Sequence, residues 1–572
     1  MARFGRLGFG AGLAAALLAT VAPAAAAAGE VEAFRGRGGM VVSASAPASE
    51  VGAAILGRGG NAVDAAVATA FAMAVTWPAA GNIGGGGFLL VHPAPGGGKP
   101  KVIDYRETAP AAADEHLFVD GRARSRLAWA GVPGTVAGLH AAHSLYGRLP
   151  WKDLVAPAEA LARGGFPVEA STAELVNAAL SDADPSFTQT FRNPLGRRWE
   201  AGDRLVQPEL AETLRRIAED GPDDFYRGRT AEAIVAAMKD GGGLITASDL
   251  ASYRARVEEP ANTTYRGYDV YAPGPPAGGA TLIEILNIAE TFDLRSLGRD
   301  SPEALHLTIE AMRRAFRDRA AYGGDPAFTP PHDELTSKQY AQSLAAAIDR
   351  RKATPSRSIA QEIPLSEGRD TTHFSVIDRD GMAVSNTYTL EAMFGARTVA
   401  AGFVLNNEMG DFNRRPGQTD QSGSIGTAPN LVAPGKRMLS AQSPTIVARD
   451  GRVVLVTGAP GGRAIPNTVA QILLNILEYG LDPVEAVRAS RLHHSWFPDR
   501  VTFEILPGET APASLAKLRS DFGHEIVPTR ERSGDAHTIW VERPGEYLGI
   551  VDRKRGGKAA APQRRSEASS SP

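Results

Sequence analysis

The stretch HFSVIDRDGMAVSNTYTL, residues 373–390, limits what this chain can fold into more than any other. Two runs rich in β-branched residues meet at Asp380-Gly381, a pair suited to a tight hairpin turn. Such a turn sets register by counting. A two-residue loop places Arg379 opposite Met382 and Thr371 opposite Leu390. A three-residue loop places Asp378 opposite Met382 and Thr371 opposite Thr389. Side chains alternate along a strand, so Thr387 and Thr389 share one face. Either register therefore gathers hydroxyls around Thr371. A second stretch, SPTIVARDGRVVLVTGAPGG, repeats the pattern with a turn at Asp450-Gly451. Its second strand runs into Gly461-Gly462, and a helix with apolar stripes follows and stops at Gly480. A glycine pair between a strand and a helix start suits two free backbone N–H groups, as an oxyanion hole needs. Many glycine pairs are simply turns.

The 572 residues include no cysteine, which removes thiol nucleophiles, disulfides and cysteine-held zinc together. The formal net charge of −3 gives no reason to expect nucleic acid or an anionic membrane as partner. There is no G-x-S-x-G elbow and no H-E-x-x-H. Ser514 to Lys517 fits S-x-x-K without a K-T-G partner, and reads as a solvent-facing piece of helix. His493-His494 would point to opposite faces of a strand, with a structural role expected. Thr371 needs another source of a base. If the Asp370–Thr371 bond is cut, the α-amine of Thr371 itself serves. An α-amine has a pKa of about 7.7–8.0, so a useful fraction is neutral near pH 7, unlike a lysine at about 10.4. The same hydroxyl can make the cut by attacking the preceding carbonyl. The polar, proline-containing segment before it, residues 349–370, reads as an exposed, flexible stretch where a precursor could open. The plain alternative is two β-formers opening a strand.

Elsewhere the chain is small-residue rich. Residues 65–75 read as a tightly packed helix and residues 87–91 as the start of a buried strand. GNIGGGG between them holds too many glycines for a regular element, and close backbone passage explains it better than anion binding. Residues 102–105 end a strand at Arg106. At the N-terminus, Arg3 and Arg6 precede an apolar run and Ala-x-Ala cleavage options, the three-part form of a secretory signal peptide over residues 1–28. The basic, low-complexity tail from residue 553 to 572 reads as disordered.

TTHFSVIDRDGMAVSNTYTL, LNNEMGDF, SPTIV and GAPGG resemble the small subunit of the γ-glutamyltransferase family. GNIGGGGF, DYRETAP and VPGTVAGLHAAHSLYG resemble its large subunit, in matching order. The resemblance implies an α+β fold, the αββα four-layer sandwich of N-terminal-nucleophile hydrolases. It implies a precursor cut into a large subunit, 29–370, and a catalytic small subunit, 371–552, which stay together as a heterodimer. By position it implies that Thr371 is the nucleophile, that Thr389 assists it, and that Gly461 and Gly462 form the oxyanion hole. Arg106 matches the arginine on the substrate α-carboxylate, Asp411 the acid on its α-ammonium, and Ser440 the first of two carboxylate-binding serines. The zwitterionic end of a γ-glutamyl group needs one fixed cation and one fixed anion, and arginine gives bidentate geometry. No cofactor and no metal are implied.

The sequence departs from the family at the site. The second serine is Ala441, which removes a donor worth about 1.5–3 kcal/mol to a charged group. Glu391 stands where asparagine is frequent, and Glu408 where glutamine is frequent. Extra carboxylates favour an ammonium and disfavour a carboxylate. Residues 416–435 have the length of a lid loop but no aromatic residue to cover a pocket. The expectation is an exported enzyme, periplasmic or secreted and without a membrane anchor once the signal is removed. It would hydrolyse or transfer γ-glutamyl amides such as glutathione, to water or to an amino acid or peptide. Two alternatives stand beside it. One is a cephalosporin-acylase-like amidase, raised by Ala441 and opposed by Asp411 and the two glutamates. The other is an exported binding protein that never cleaves.

Overall fold

A computed structural model describes residues 31–330, 332–359, 370–418, 426–552 and 554–563. Residues 1–28, read from the sequence as a signal peptide, the middle of the lid-length loop and residues 360–369 of the stretch before Thr371 lie outside them.

The first hairpin joins the strands Asp370–Asp378 and Ala383–Glu391. Asp378 N donates to Met382 O at 3.0 Å, closing a three-residue loop. Asp378 Oδ1 accepts from Asp380 N at 2.9 Å and Met382 N at 3.0 Å, so the aspartate folds the turn around its own side chain. Pairing then holds one register from Ile377↔Ala383 to Thr372↔Tyr388, and shifts before Asp370↔Glu391. Thr371 sits at that bulge, facing both Thr389 and Leu390. The two registers counted from the sequence are thus both realised, one along the hairpin and one at its end. The second hairpin, Thr445–Arg449 and Arg452–Thr457, turns tightly at Asp450-Gly451, where both residues take positive φ.

Each hairpin lies inside its own seven-stranded sheet. The first hairpin is flanked by Gly39–Ser43 and Gly86–His92, and the second by Tyr268–Ala272 and His537–Arg543. Period two then divides the side chains. Ile377 and Ala383 from one sheet pack with Ile446, Val456, Ile539 and Val551 from the other, forming an apolar layer between the sheets. Phe374, Val376, Val384, Tyr388 and Leu390 point the opposite way, into a core with the helix Ala62–Thr76. That helix is buried on every side, which its alanine-rich composition permits. It starts at Asn61, whose side chain caps Val63 N and Asp64 N. The helices Gly279–Glu290, Pro302–Tyr322 and Ile465–Leu473 cover the outer face of the other sheet. The order is helix, sheet, sheet, helix. Burying one Val- to Phe-sized side chain contributes about 1.5–3 kcal/mol, so these three apolar layers supply the main driving force.

The glycine run has the close-packing role. A Cβ at Gly85 would stand 2.0 Å from Thr389 O, and one at Gly87 2.3 Å from Thr387 O. Only glycine lets this segment lie against the hydroxyl-bearing strand. Gly85 N donates to Asn82 Oδ1 at 2.9 Å and Gly87 N to Tyr105 O at 3.3 Å, so both N–H groups are used within the protein.

Two sequence expectations are corrected. The tail read as disordered from residue 553 contains a strand, Lys558–Ala560, paired antiparallel with Gly39–Ser43. It satisfies the sheet edge that would otherwise present bare N–H and C=O groups; residues 564–572 lie outside the description. Ser514, read as solvent-facing, is buried on the inner side of the helix Ala513–Ser520.

Candidate active site

The site opens where the two sheets meet, at the start of one hairpin and the end of the other. Thr371 and Thr389 line a cleft of about 260 Å³ with Glu391, Glu408, Asp411, Ser440, Ala441, Gln442, Gly462 and Ile465. Thr371 is 5% exposed and Thr389 2%. Arg555, from the tail, donates to Thr371 O at 3.1 Å. Thr389 Oγ1 accepts from Glu391 N at 2.8 Å, and Asn82 donates to Thr389 O at 2.9 Å. Glu391 has a φ of +75°, a strained conformation for a residue with a side chain. The Asn407 amide donates to the Glu391 carboxylate.

Gly461 and Gly462 follow the second hairpin as expected, at φ +139° and +55°. Gly462 lines the cleft and opens the short turn that leads into the helix Ile465–Leu473. Beneath the threonines, His373 places Nδ1 2.8 Å from Thr387 Oγ1 and Nε2 3.1 Å from Ser375 Oγ. Burial, with His537 alongside, pushes its pKa well below the ordinary histidine value. The ring is neutral and serves the hydroxyl network.

Arg106 is fully buried behind the cleft rather than lining it. Its Nη1 donates to Glu408 and, at 3.3 Å, to Glu107, while its Nη2 donates to Asp411 at 2.6 Å and to Leu439 O at 3.2 Å. Nε donates to Met438 O at 3.3 Å. All five N–H groups of the guanidinium are therefore directed at protein acceptors. Burial opposes its charge, but Glu408, Glu107 and Asp411 outweigh that and hold it protonated. The carboxylates crowd one another in return. Burial pushes Glu107 up to about 7 against the pull of Arg106, and raises Glu408 well above the usual range. Tyr253 fixes the loop by donating to Arg106 O at 2.8 Å.

The residues given catalytic or substrate-binding roles from the sequence lie in or directly behind this cleft, except that Gly461 is set back from its lining. Sequence reasoning missed Gln442, Asn407, Glu107, His373 and Tyr253. Gln442 and Asn407 stand beside expected site residues, and His373 and Glu107 belong to quoted motifs, so proximity was the available signal. Tyr253 carried none. Among the described residues, His306, Glu310 and His524 have metal-ligating atoms within reach of one another. They are already committed: His306 Nδ1 lies 2.8 Å from His524 Nε2, and Glu310 accepts from Arg313 at 3.1 Å and Arg314 at 2.5 Å. Two adjacent guanidinium groups make this a poor place for a cation.

Two stacked sheets between helices, with Thr371 one residue into a central strand beside their shared cleft, have the architecture of the N-terminal-nucleophile hydrolases. Known proteins agree. The family described as gamma-glutamyltranspeptidase matches residues 48–562. The glutathione hydrolase proenzyme of Escherichia coli K12 is 44% identical over 533 residues, covering 91% of this chain and 90% of that one. Its counterpart from Pseudomonas aeruginosa is 43% identical over 534 residues, covering 91% and 93%. The crystal structure of cephalosporin acylase from Bacillus halodurans superposes with a TM-score of 0.81 at 28% identity, over 93% of this chain and 97% of that one. The chain belongs to the gamma-glutamyltranspeptidase family.

Proposed function

We propose that the protein is a self-cleaving γ-glutamyl amide hydrolase and transferase that acts on glutathione and related γ-glutamyl compounds. The observation that carries this reading is the convergence of Thr371, Thr389 and Gly462 on one cleft with the Arg106–Asp411 pair at its back. Opening the Asp370–Thr371 bond frees the Thr371 amine to act as base for its own hydroxyl. The hydroxyl attacks the γ-carbonyl, and the N–H groups of Gly461 and Gly462 take the oxyanion. Loss of one such donor costs about 3 kcal/mol, roughly 10²-fold in rate. The leaving amine departs with the proton, and water or an acceptor amine then cleaves the threonyl ester. Asp411, Glu408 and Glu391 hold the donor's ammonium; Ser440, with Arg106 behind it, faces its carboxylate. The large and small subunits remain together as a heterodimer. The signal-like N-terminus supports export to the periplasm or beyond. Among the described residues no helix is long and apolar enough to cross a membrane.

A second reading keeps the machinery and changes the acyl group to that of a cephalosporin-acylase-like amidase. Ala441 is the observation that favours it, and the three carboxylates lining the cleft oppose it.

Intact masses of purified wild type and Thr371→Ala test the reading. We expect two fragments from wild type, the smaller beginning at Thr371, and one uncut chain from the variant. A wild-type chain that stays whole over days would overturn it and leave the fold serving as a binding protein.

A further inference from the structure

The cleft is unbalanced in hydrogen-bonding capacity. Three carboxylate-bearing side chains, Glu391, Glu408 and Asp411, line it. The buried Glu408 Oε2 and Gln442 Oε1 have no hydrogen-bond partner. Arg106, which pairs with Glu408 and Asp411, does not itself line the cleft, and each of its N–H groups already meets an acceptor of the protein. Among side chains lining the cleft, Ser440 and the Gln442 amide are left to greet an incoming carboxylate away from the threonines, because position 441 is alanine. An ammonium entering this space meets acceptors in excess. A carboxylate entering it must displace Glu408 or Asp411 from Arg106, or make do with few donors.

We propose that this enzyme reads its acyl donor through the ammonium and dispenses with the α-carboxylate, so that amides of 4-aminobutanoic acid are donors alongside γ-glutamyl amides. This rests on the γ-glutamyl reading above. The 4-aminobutanoyl group is a γ-glutamyl group with hydrogen in place of its α-carboxylate, so the distance from ammonium to reacting carbonyl is unchanged. The chemistry balances as before. The amide C–N bond breaks as the ester to Thr371 Oγ forms. The hydroxyl proton leaves on the released amine, and water then returns the free acid and the hydroxyl.

Three chromogenic anilides separate the possibilities: γ-glutamyl-, 4-aminobutanoyl- and glutaryl-p-nitroanilide, each read as kcat/KM on the processed enzyme after subtracting an enzyme-free blank. We expect the 4-aminobutanoyl compound to reach at least one-tenth of the γ-glutamyl value, and the glutaryl compound, which keeps a carboxylate and lacks the ammonium, to fall below one-hundredth. Ala441→Ser restores a donor for the carboxylate, and should lower the ratio of 4-aminobutanoyl to γ-glutamyl turnover about tenfold or more. A wild-type ratio under one-tenth overturns the proposal while leaving γ-glutamyl turnover intact. So does a glutaryl compound turned over as well as the 4-aminobutanoyl one, or an unchanged ratio in the serine variant. Failure of both ammonium-bearing anilides on correctly processed protein would instead sink the γ-glutamyl reading itself.

Discussion

At the scale of single residues, what the chain reveals about itself depends on how local the cause is. Thr371 and Thr389 could be paired from sequence because a hairpin register is arithmetic from its turn. The saturation of Arg106 could not, because its acceptors Glu408 and Asp411 lie 302 and 305 residues further along. Neither periodicity nor spacing reports which of several acids will reach a buried guanidinium. His494 shows the same limit. Its position beside His493 suggested a structural role, but its titration is decided by distant neighbours. Burial lowers its pKa to about 4, with Arg313 adding to the shift and Asp499 opposing it. An unfolded histidine titrates near 6.5. Between these values only the unfolded chain takes up the proton, so stability that is fully present above about pH 6.5 is lost as pH falls toward 4. His494→Gln removes that proton. Its stability should therefore fall by about 1.4 kcal/mol less per pH unit across the window than that of wild type. Urea unfolding of both proteins at several pH values between 6.5 and 4.5 measures the two slopes, and equal slopes would refute the assignment.

At the scale of elements, the strands and helices nearest the site were legible because each carried its own punctuation. Two Asp-Gly turns, a Gly-Gly helix entry and a small-residue helix suffice to order them. The bulge at Thr371 was visible only as two competing registers, since a shift of one residue is decided by what the strand end must meet. The strand Lys558–Ala560 was missed because three residues of Lys-Ala-Ala have no β-pattern; the edge they complete creates the strand. The glycine run was read correctly as a device for close approach, and it makes a sharp prediction. Gly87→Ala puts a Cβ 2.3 Å from Thr387 O, in backbone that cannot move without shifting the hydroxyl strand. We expect a loss of about 1–3 kcal/mol in stability. Processing at Thr371 should slow as well, followed by gel over time. A variant that folds and cuts at the wild-type rate would show that the strand pair tolerates a wider spacing than its geometry suggests.

At the scale of the molecule, both sheets are woven from segments on either side of residue 370. In one, Lys558–Ala560, Gly39–Ser43, Asp370–Asp378, Ala383–Glu391 and Gly86–His92 lie side by side in that order. The edge formed by Lys558–Ala560 is held by Lys558 against Glu50 at 2.8 Å and by Ser49 against Lys558 O at 2.8 Å. Ending the chain after Asp552 removes this strand and the Arg555 contact to Thr371 O together. Such a protein should melt several degrees lower and aggregate more readily than one ending after Gln563, as differential scanning calorimetry and light scattering would show. Indistinguishable melting would mean that the edge is covered in some other way. The weaving has one more consequence. If the backbone opens between Asp370 and Thr371, neither piece can leave without tearing ladders of hydrogen bonds in both sheets. The uncut chain folds as one molecule at any dilution. The cut one, once melted, would have to find its other half again, with exposed strands competing for every wrong partner. Its folded lifetime is then a matter of how high the unfolding barrier stands, and heat damage to the mature form should become steeply harder to reverse as the sample is diluted.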